Sequence, residues 1–202
     1  MRRVALLLAL IVTACKVGAA TPVVKDGDII FQTSLSSQSR AIQLATGSKY
    51  SHMGLILLRD GKPYVFEAEA TVRYTPLDRW IARGSGHHYV VKRLGDAAQR
   101  LTPDAVQRLK NSAQQFAGRP YDLVFEWSDD RMYCSELVWK IYRNALAVEI
   151  GDLQHVRDFD LSNPVVQSKM RERYGDHIPL DEPVISPAAM FQSPLLITVA
   201  KD

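Results

Sequence analysis

DRMYCSELVWKIY, residues 130–142, sets one cysteine at the head of a run with helical periodicity. Cys134, Leu137, Val138, Ile141, Tyr142 and Ala145 recur three and four residues apart, the spacing of a single apolar stripe on an α-helix. The pattern predicts a helix from Cys134 to about Ala147, with the thiol in its first turn and facing the body of the protein. Unpaired backbone N–H groups and the helix dipole stabilise an anion there. That setting favours the thiolate, the nucleophilic form of cysteine, and the same N–H groups can hold an oxyanion. A small buried hydrophobe is the plain alternative for a free cysteine, but mere packing has no need of a helix N-terminus.

The only other cysteine is Cys15, in a segment of different character. MRR is followed by the apolar run VALLLALIV and the small residues VGAA, the three parts of a secretory signal over residues 1–20. The run is too short to span a bilayer, so no membrane span is expected. Cleavage after Ala20 releases a soluble protein. The alternative reads VTAC, residues 12–15, as a lipobox that ends the signal before Cys15 and leaves a lipid anchor on it. Either route exports the chain, to the periplasm or cell envelope, and deprives Cys134 of a disulfide partner within the chain. Cleavage after Ala20 also removes Arg2, Arg3 and Lys16 and leaves 22 basic against 22 acidic side chains, so the basic precursor gives no reason to expect nucleic-acid binding. Residues 21–202 suit one domain with a sizeable core.

A nucleophilic thiol calls for a base. Of the five histidines, His87 and His88 sit in a GSGHH turn, and His155 and His177 in polar surroundings. A metal site would need further ligands, and neither metal nor cofactor is expected. His52 differs, because it opens the otherwise apolar strand HMGLILLR. Asp60-Gly61 then reads as a two-residue hairpin turn and KPYVFEA, residues 62–68, as the return strand. In that register Arg59 pairs with Lys62, His52 lies opposite Glu69, and Gly54 lies opposite Glu67. His52, Glu67 and Glu69 then share one face, with Glu67 diagonal to His52. Either carboxylate could orient the imidazole, as in catalytic triads.

Other elements follow by the same rules. DIIFQT, residues 28–33, reads as a buried strand, and Ser36 or Ser37 as the cap of a helix to about Ala45, stopped by Gly47. TVRYT and HYVVKR read as strands, LDRWIA as a short helix, and Thr102-Pro103 as the start of a helix ending before Gly118. Residues 119–132 read as a polar and aromatic loop. A helix over Pro164–Tyr174, a short one opened by Ser186-Pro187, and a closing strand LLITVA complete an α+β chain, with helices packed on a mostly antiparallel sheet.

At YSHMGLIL, YVFEA, GRPYD and YCSELVWKIY the chain resembles permuted papain-like enzymes of the NlpC/P60 superfamily, and within it the YiiX family. DIIFQ, SSQSRAIQLAT, FDLSNP and ISPAAMF add to the likeness, which runs from Gly27 to Pro187. The resemblance implies a circularly permuted papain-like fold, in which the catalytic order becomes histidine, acid, cysteine. Carried over, the triad is His52, Glu67 and Cys134, which favours Glu67 over Glu69. Tyr50 and Tyr133 flank the site as candidates to assist the oxyanion or the substrate. The activity implied is that of an exported cysteine amidase or peptidase working through an acyl-enzyme on cell-wall peptide or a related amide. Two alternatives stand beside it: a lipid acyltransferase or thioesterase, and a non-catalytic envelope binding module of the same fold. A long apolar groove at Cys134 would favour lipid. Charged groups there would favour peptide, with Arg40, Arg131, Asp129 and Asp130 as candidates. Oligomeric state is not legible in the sequence.

Overall fold

The computed structural model describes residues 22–202, so the signal segment and Cys15 lie outside the described residues. The chain begins with β1 (Ile29–Gln32), α1 (Ser39–Thr46), β2 (His52–Arg59) and β3 (Lys62–Ala68). Asp60 and Gly61 join the last two with φ of 50° and 73°. Two successive left-handed residues make the turn whose twist matches a hairpin, and Asp-Gly tolerates it. Arg59 pairs with Lys62 and Leu55 with Phe66, the register that the alternation predicts.

β4 (Val72–Pro76) extends the meander and leads through Pro76 into α2 (Leu77–Ala82). β5 (Val90–Leu94), α3 (Ala97–Arg100), α4 (Pro103–Phe116) and α5 (Cys134–Leu146) follow. The last quarter holds β6 (Gln154–His155), α6 (Pro164–Tyr174), β7 (Pro183–Val184), α7 (Pro187–Gln192) and β8 (Leu196–Lys201). Six strands form one sheet in the order β4-β3-β2-β1-β5-β8, every neighbouring pair antiparallel, and β6 with β7 makes a separate ribbon.

Each face of the sheet has its own core. Ile29, Phe31, Met53, Leu55 and Phe66 face α4 and α5, meeting Leu137, Val138, Ile141 and Tyr142. Ile30, Ile56, Val65 and Val91 face α2, meeting Leu77 and Trp80. Burial on both faces explains why β1 and β2 read as continuous apolar runs rather than as alternation.

Three helices begin as side-chain chemistry dictates. Thr102, Asn163 and Ser186 each precede a proline at the first helical position and accept a backbone N–H two or three residues on, from Ala105, Val165 and Ala189. α1 is the exception. It begins at Ser39, after Gln38, with no side-chain cap. The Ser36 hydroxyl meets Ser34 instead, at 2.8 Å. Gly47, with φ of 62°, ends the helix as expected.

α5 departs from the one-sided stripe. Ser135, Glu136, Trp139 and Lys140 are buried as well. The 119–132 loop and the Val184–Ile185 segment cover the helix's second side. Ser135 Oγ donates to the Ile185 carbonyl, and Lys140 Nζ to the Ser128 carbonyl. Glu136 Oε1 and Lys140 Nζ make an ion-pair contact of 2.9 Å without hydrogen-bond alignment.

Candidate active site

Cys134 is the first residue of α5 and is 3 % exposed. Tyr133 before it is extended, with φ of −101°. Glu136, one turn into the helix, accepts the Tyr133 N–H at 3.4 Å. Position alone leaves the first N–H groups of the helix without intrahelical acceptors. Among the described residues Cys134 is the one cysteine, and its thiol is free.

His52 opens β2 at the end of the sheet where α5 begins. Its Nε2 lies 2.6 Å from Glu67 Oε2, which leaves Nδ1 as the nitrogen to face the thiol. The ring lies over the Trp80 indole, centroids 5.8 Å apart. Burial by itself would lower the His52 pKa. The pull of the neighbouring Cys134, and the hydrogen bond and charge of Glu67, outweigh it and raise the value from 6.5 to about 9.

Glu67 is fully buried, and every direction around its carboxylate is taken. Thr75 Oγ1 donates to Oε1 at 2.6 Å and Trp80 Nε1 to Oε2 at 2.9 Å. One Arg83 nitrogen reaches both oxygens, at 2.7 and 2.5 Å. Burial would push the carboxyl up. The His52 hydrogen bond and charge, then the Arg83 and Thr75 hydrogen bonds, bring it down from 4.5 to about 2. An ionised carboxylate therefore fixes Nε2–H as the donor, and Nδ1 is free to exchange a proton with the thiol. Glu69 plays no such part. It is at the surface, paired with Arg73 and 3.7 Å from Arg83.

Gly54 makes the diagonal approach possible. A Cβ there would lie 2.3 Å from Val65 Cγ1 and 3.3 Å from Glu67 Cβ. Thr75, Trp80 and Arg83 were not singled out from the sequence. Their signal was available in part, since a strand pairing with β3 must set one residue beside Glu67's neighbours, but the reach of α2 back over that face is tertiary.

The two flanking tyrosines separate. Tyr50 is a packing residue, because its ring stacks on Phe191 at 4.2 Å and meets Phe31 edge-on at 6.1 Å. Tyr133 lines the pocket beside Cys134, and its hydroxyl accepts the Ile185 N–H at 3.1 Å. The proposed charges lie elsewhere: Asp129 bonds Lys140, Asp130 is near Arg119, and Arg40 and Arg131 are exposed.

A narrow cavity of about 120 Å³ opens at Cys134 between α1, α6 and the strand-to-helix segment before α7. Its walls are nearly all carbon, from Ala41, Ile42, Ala45, Val166, Met170 and Ile185 among others. Tyr121, Gln38 and Arg173 also line it. Gln38 and Tyr121 belong to motifs that carry the family resemblance, but nothing in their spacing assigns them a place at the thiol.

The family model of the permuted papain-like amidases, YaeF/YiiX, C92, matches residues 23–200. The chain is 54 % identical over 176 residues to the uncharacterized protein YiiX of Escherichia coli (strain K12), covering 87 % of this chain and 86 % of that one. A crystal structure of YiiX from Escherichia coli O157:H7, described as a metalloprotein, superposes with a TM-score of 0.85 at 55 % identity, covering 88 % of this chain and 97 % of the other.

Proposed function

This chain belongs to the permuted papain-like amidase family of the YaeF/YiiX type and is a cysteine hydrolase of the amidase class; from that premise we propose that Cys134, His52 and Glu67 transfer an apolar acyl group to water. The observation that carries the substrate class is the carbon-lined cavity opening at Cys134, which suits an acyl chain better than a charged cell-wall peptide. It moves the preference from peptide towards the lipid-like alternative, while the amide as the bond cleaved follows the family.

In this reading the Cys134 thiolate attacks the acyl carbonyl, a C–S bond forms, and the carbonyl π pair moves to oxygen. Helix N-terminal N–H groups hold that oxygen. The His52 imidazolium gives its Nδ1 proton to the departing amine as the C–N bond breaks. Water then adds to the thioester, His52 takes its proton, and the acid leaves as the thiolate returns. Glu67 keeps the imidazole oriented and stabilises its charged form. Trp80, Thr75 and Arg83 hold Glu67. Export to the cell envelope, by either signal route, is part of the proposal.

The Escherichia coli neighbour's description as a metalloprotein invites a test of this site. Among the described residues no three His, Cys, Asp or Glu side chains gather as metal ligands. Glu67's oxygens are already occupied by Thr75, Trp80, Arg83 and His52. The donor set does not fit a metal.

The test is hydrolysis of N-octanoyl amides and p-nitrophenyl octanoate beside a soluble cell-wall peptide. Turnover of the octanoyl substrates, an acyl adduct on Cys134 by intact mass, and loss of both in Cys134→Ala and His52→Ala are expected. Full activity in Cys134→Ala, or cleavage of the peptide with the octanoyl substrates untouched, would overturn the reading.

A further inference from the structure

One side chain holds the Tyr121 hydroxyl at the thiol pocket, and a second side chain holds the first. Gln38 Nε2 donates to Tyr121 Oη at 2.7 Å. Gln38 Oε1 in turn accepts from the Arg173 guanidinium. Arg173 is itself seated over the Phe125 ring, 4.8 Å from its centroid. The start of α1, the end of α6 and the 119–132 loop therefore meet in one chain of hydrogen bonds.

The direction of that chain is not free. A guanidinium has donors only. Its bond to Gln38 sets the amide oxygen towards Arg173 and the NH2 towards Tyr121. The amide NH2 cannot accept a proton, so Tyr121 meets it as an acceptor and its own O–H is left over. Tyr121 lines the same cavity as Cys134. Burial, and after it the negative charge of Cys134, raises its pKa, so the phenol keeps its proton at neutral pH. Among the described residues that O–H donates to no protein atom, and Cys134, whose charge reaches the phenol, lines the same cavity.

We propose that Gln38, oriented by Arg173, is a positioning residue that turns the Tyr121 O–H towards the substrate carbonyl oxygen as it becomes an oxyanion. This rests on Cys134 being the acyl-accepting nucleophile. Gln38 makes no contact with substrate in this scheme; it acts through Tyr121.

Gln38→Glu is the decisive variant. A carboxylate keeps the Arg173 link and still bonds Tyr121, but as an acceptor, so it draws the phenol proton out of the pocket. On p-nitrophenyl octanoate, kcat should fall about 10²- to 10³-fold with KM within about twofold, in the range for loss of one oxyanion donor. Tyr121→Phe should fall as far, and Gln38→Glu in the Tyr121→Phe background should cost nothing further. Alkylation of Cys134 by iodoacetamide develops no oxyanion and should stay within about twofold. The thermal midpoint should hold, because both bonds of residue 38 persist. Octanal, which adds reversibly to the thiol as a hemithioacetal, reads the same relay without turnover: its protection of Cys134 from alkylation should weaken about tenfold in Gln38→Glu. Wild-type ester turnover no faster than that of Cys134→Ala would sink the nucleophile reading instead. Wild-type kcat and octanal protection in Gln38→Glu would overturn the relay, as would losses that appear only alongside lower alkylation and a lower midpoint.

Discussion

Glu67 is the residue on which the site's electrostatics turn. A buried carboxyl left to itself takes a proton; this one is kept ionised by His52, Arg83 and Thr75, and it keeps His52 charged in return. Glu67→Gln should therefore act on pH as well as rate. Loss of the carboxylate lowers kcat roughly 10²- to 10⁴-fold, in line with acid-to-amide changes in triads. It also moves the alkaline limb of the pH–rate profile down from about 9 towards 6.5, because the imidazolium loses a partner. An alkaline limb that stays at about 9 would place the raised value in Cys134 alone. For folding, the signs follow from the two shifts. The His52 contribution is complete below 6.5 and is lost as pH rises through about 9. The Glu67 contribution is complete above 4.5 and is lost as pH falls to about 2. Urea midpoints of wild type and Glu67→Gln should converge as pH falls towards 2 and draw closer, without meeting, as pH rises through about 9.

Among the elements, α5 carries the most cost and the most function. Its second side buries Glu136 against Lys140, and burial raises the Glu136 carboxyl from 4.5 to about 8, with Lys140 opposing. Lys140→Met should destabilise the protein by about 3 kcal/mol at pH 9, and adding Glu136→Leu should recover most of that, since breaking a buried pair costs more than replacing it. Urea unfolding of the two variants decides it. The β2–β3 hairpin carries the other half of the site, and Gly54→Ala would force the strands apart at Val65, costing about 1–3 kcal/mol. That hairpin was legible from Asp60-Gly61 and strand alternation alone, because a two-residue turn fixes register locally. The α5 stripe was legible too, but not the burial of its polar side, which depends on the 119–132 loop folding over it. Ser36 and Ser37 misled as caps for a related reason: either hydroxyl can cap locally, and only the neighbour at Ser34 shows where Ser36's is used. Gln38 and Arg173 stand 135 positions apart and no period links them.

For the whole molecule, the cavity at Cys134 joins the triad to α1 and α6, which pack against each other. Ala45→Trp or Ile42→Trp should fill it. The expected result is a KM for p-nitrophenyl octanoate raised about tenfold or more, with p-nitrophenyl acetate little changed, as loss of several buried methylenes implies. Equal effects on both esters would assign the cavity to structure rather than substrate. The circular order of the chain has a biosynthetic consequence. His52 and Glu67 belong to one local hairpin, whereas Cys134 arrives on a helix made later and is followed by the α6 and α7 segments that wall its pocket. A chain cut short before α5 thus carries the base and the acid with no nucleophile, and one cut short before α6 a nucleophile with no pocket. Chains truncated before α6 should therefore take up no acyl group. A released fragment ending at residue 150 should alkylate with iodoacetamide at the rate of a simple peptide thiol, and the complete chain faster.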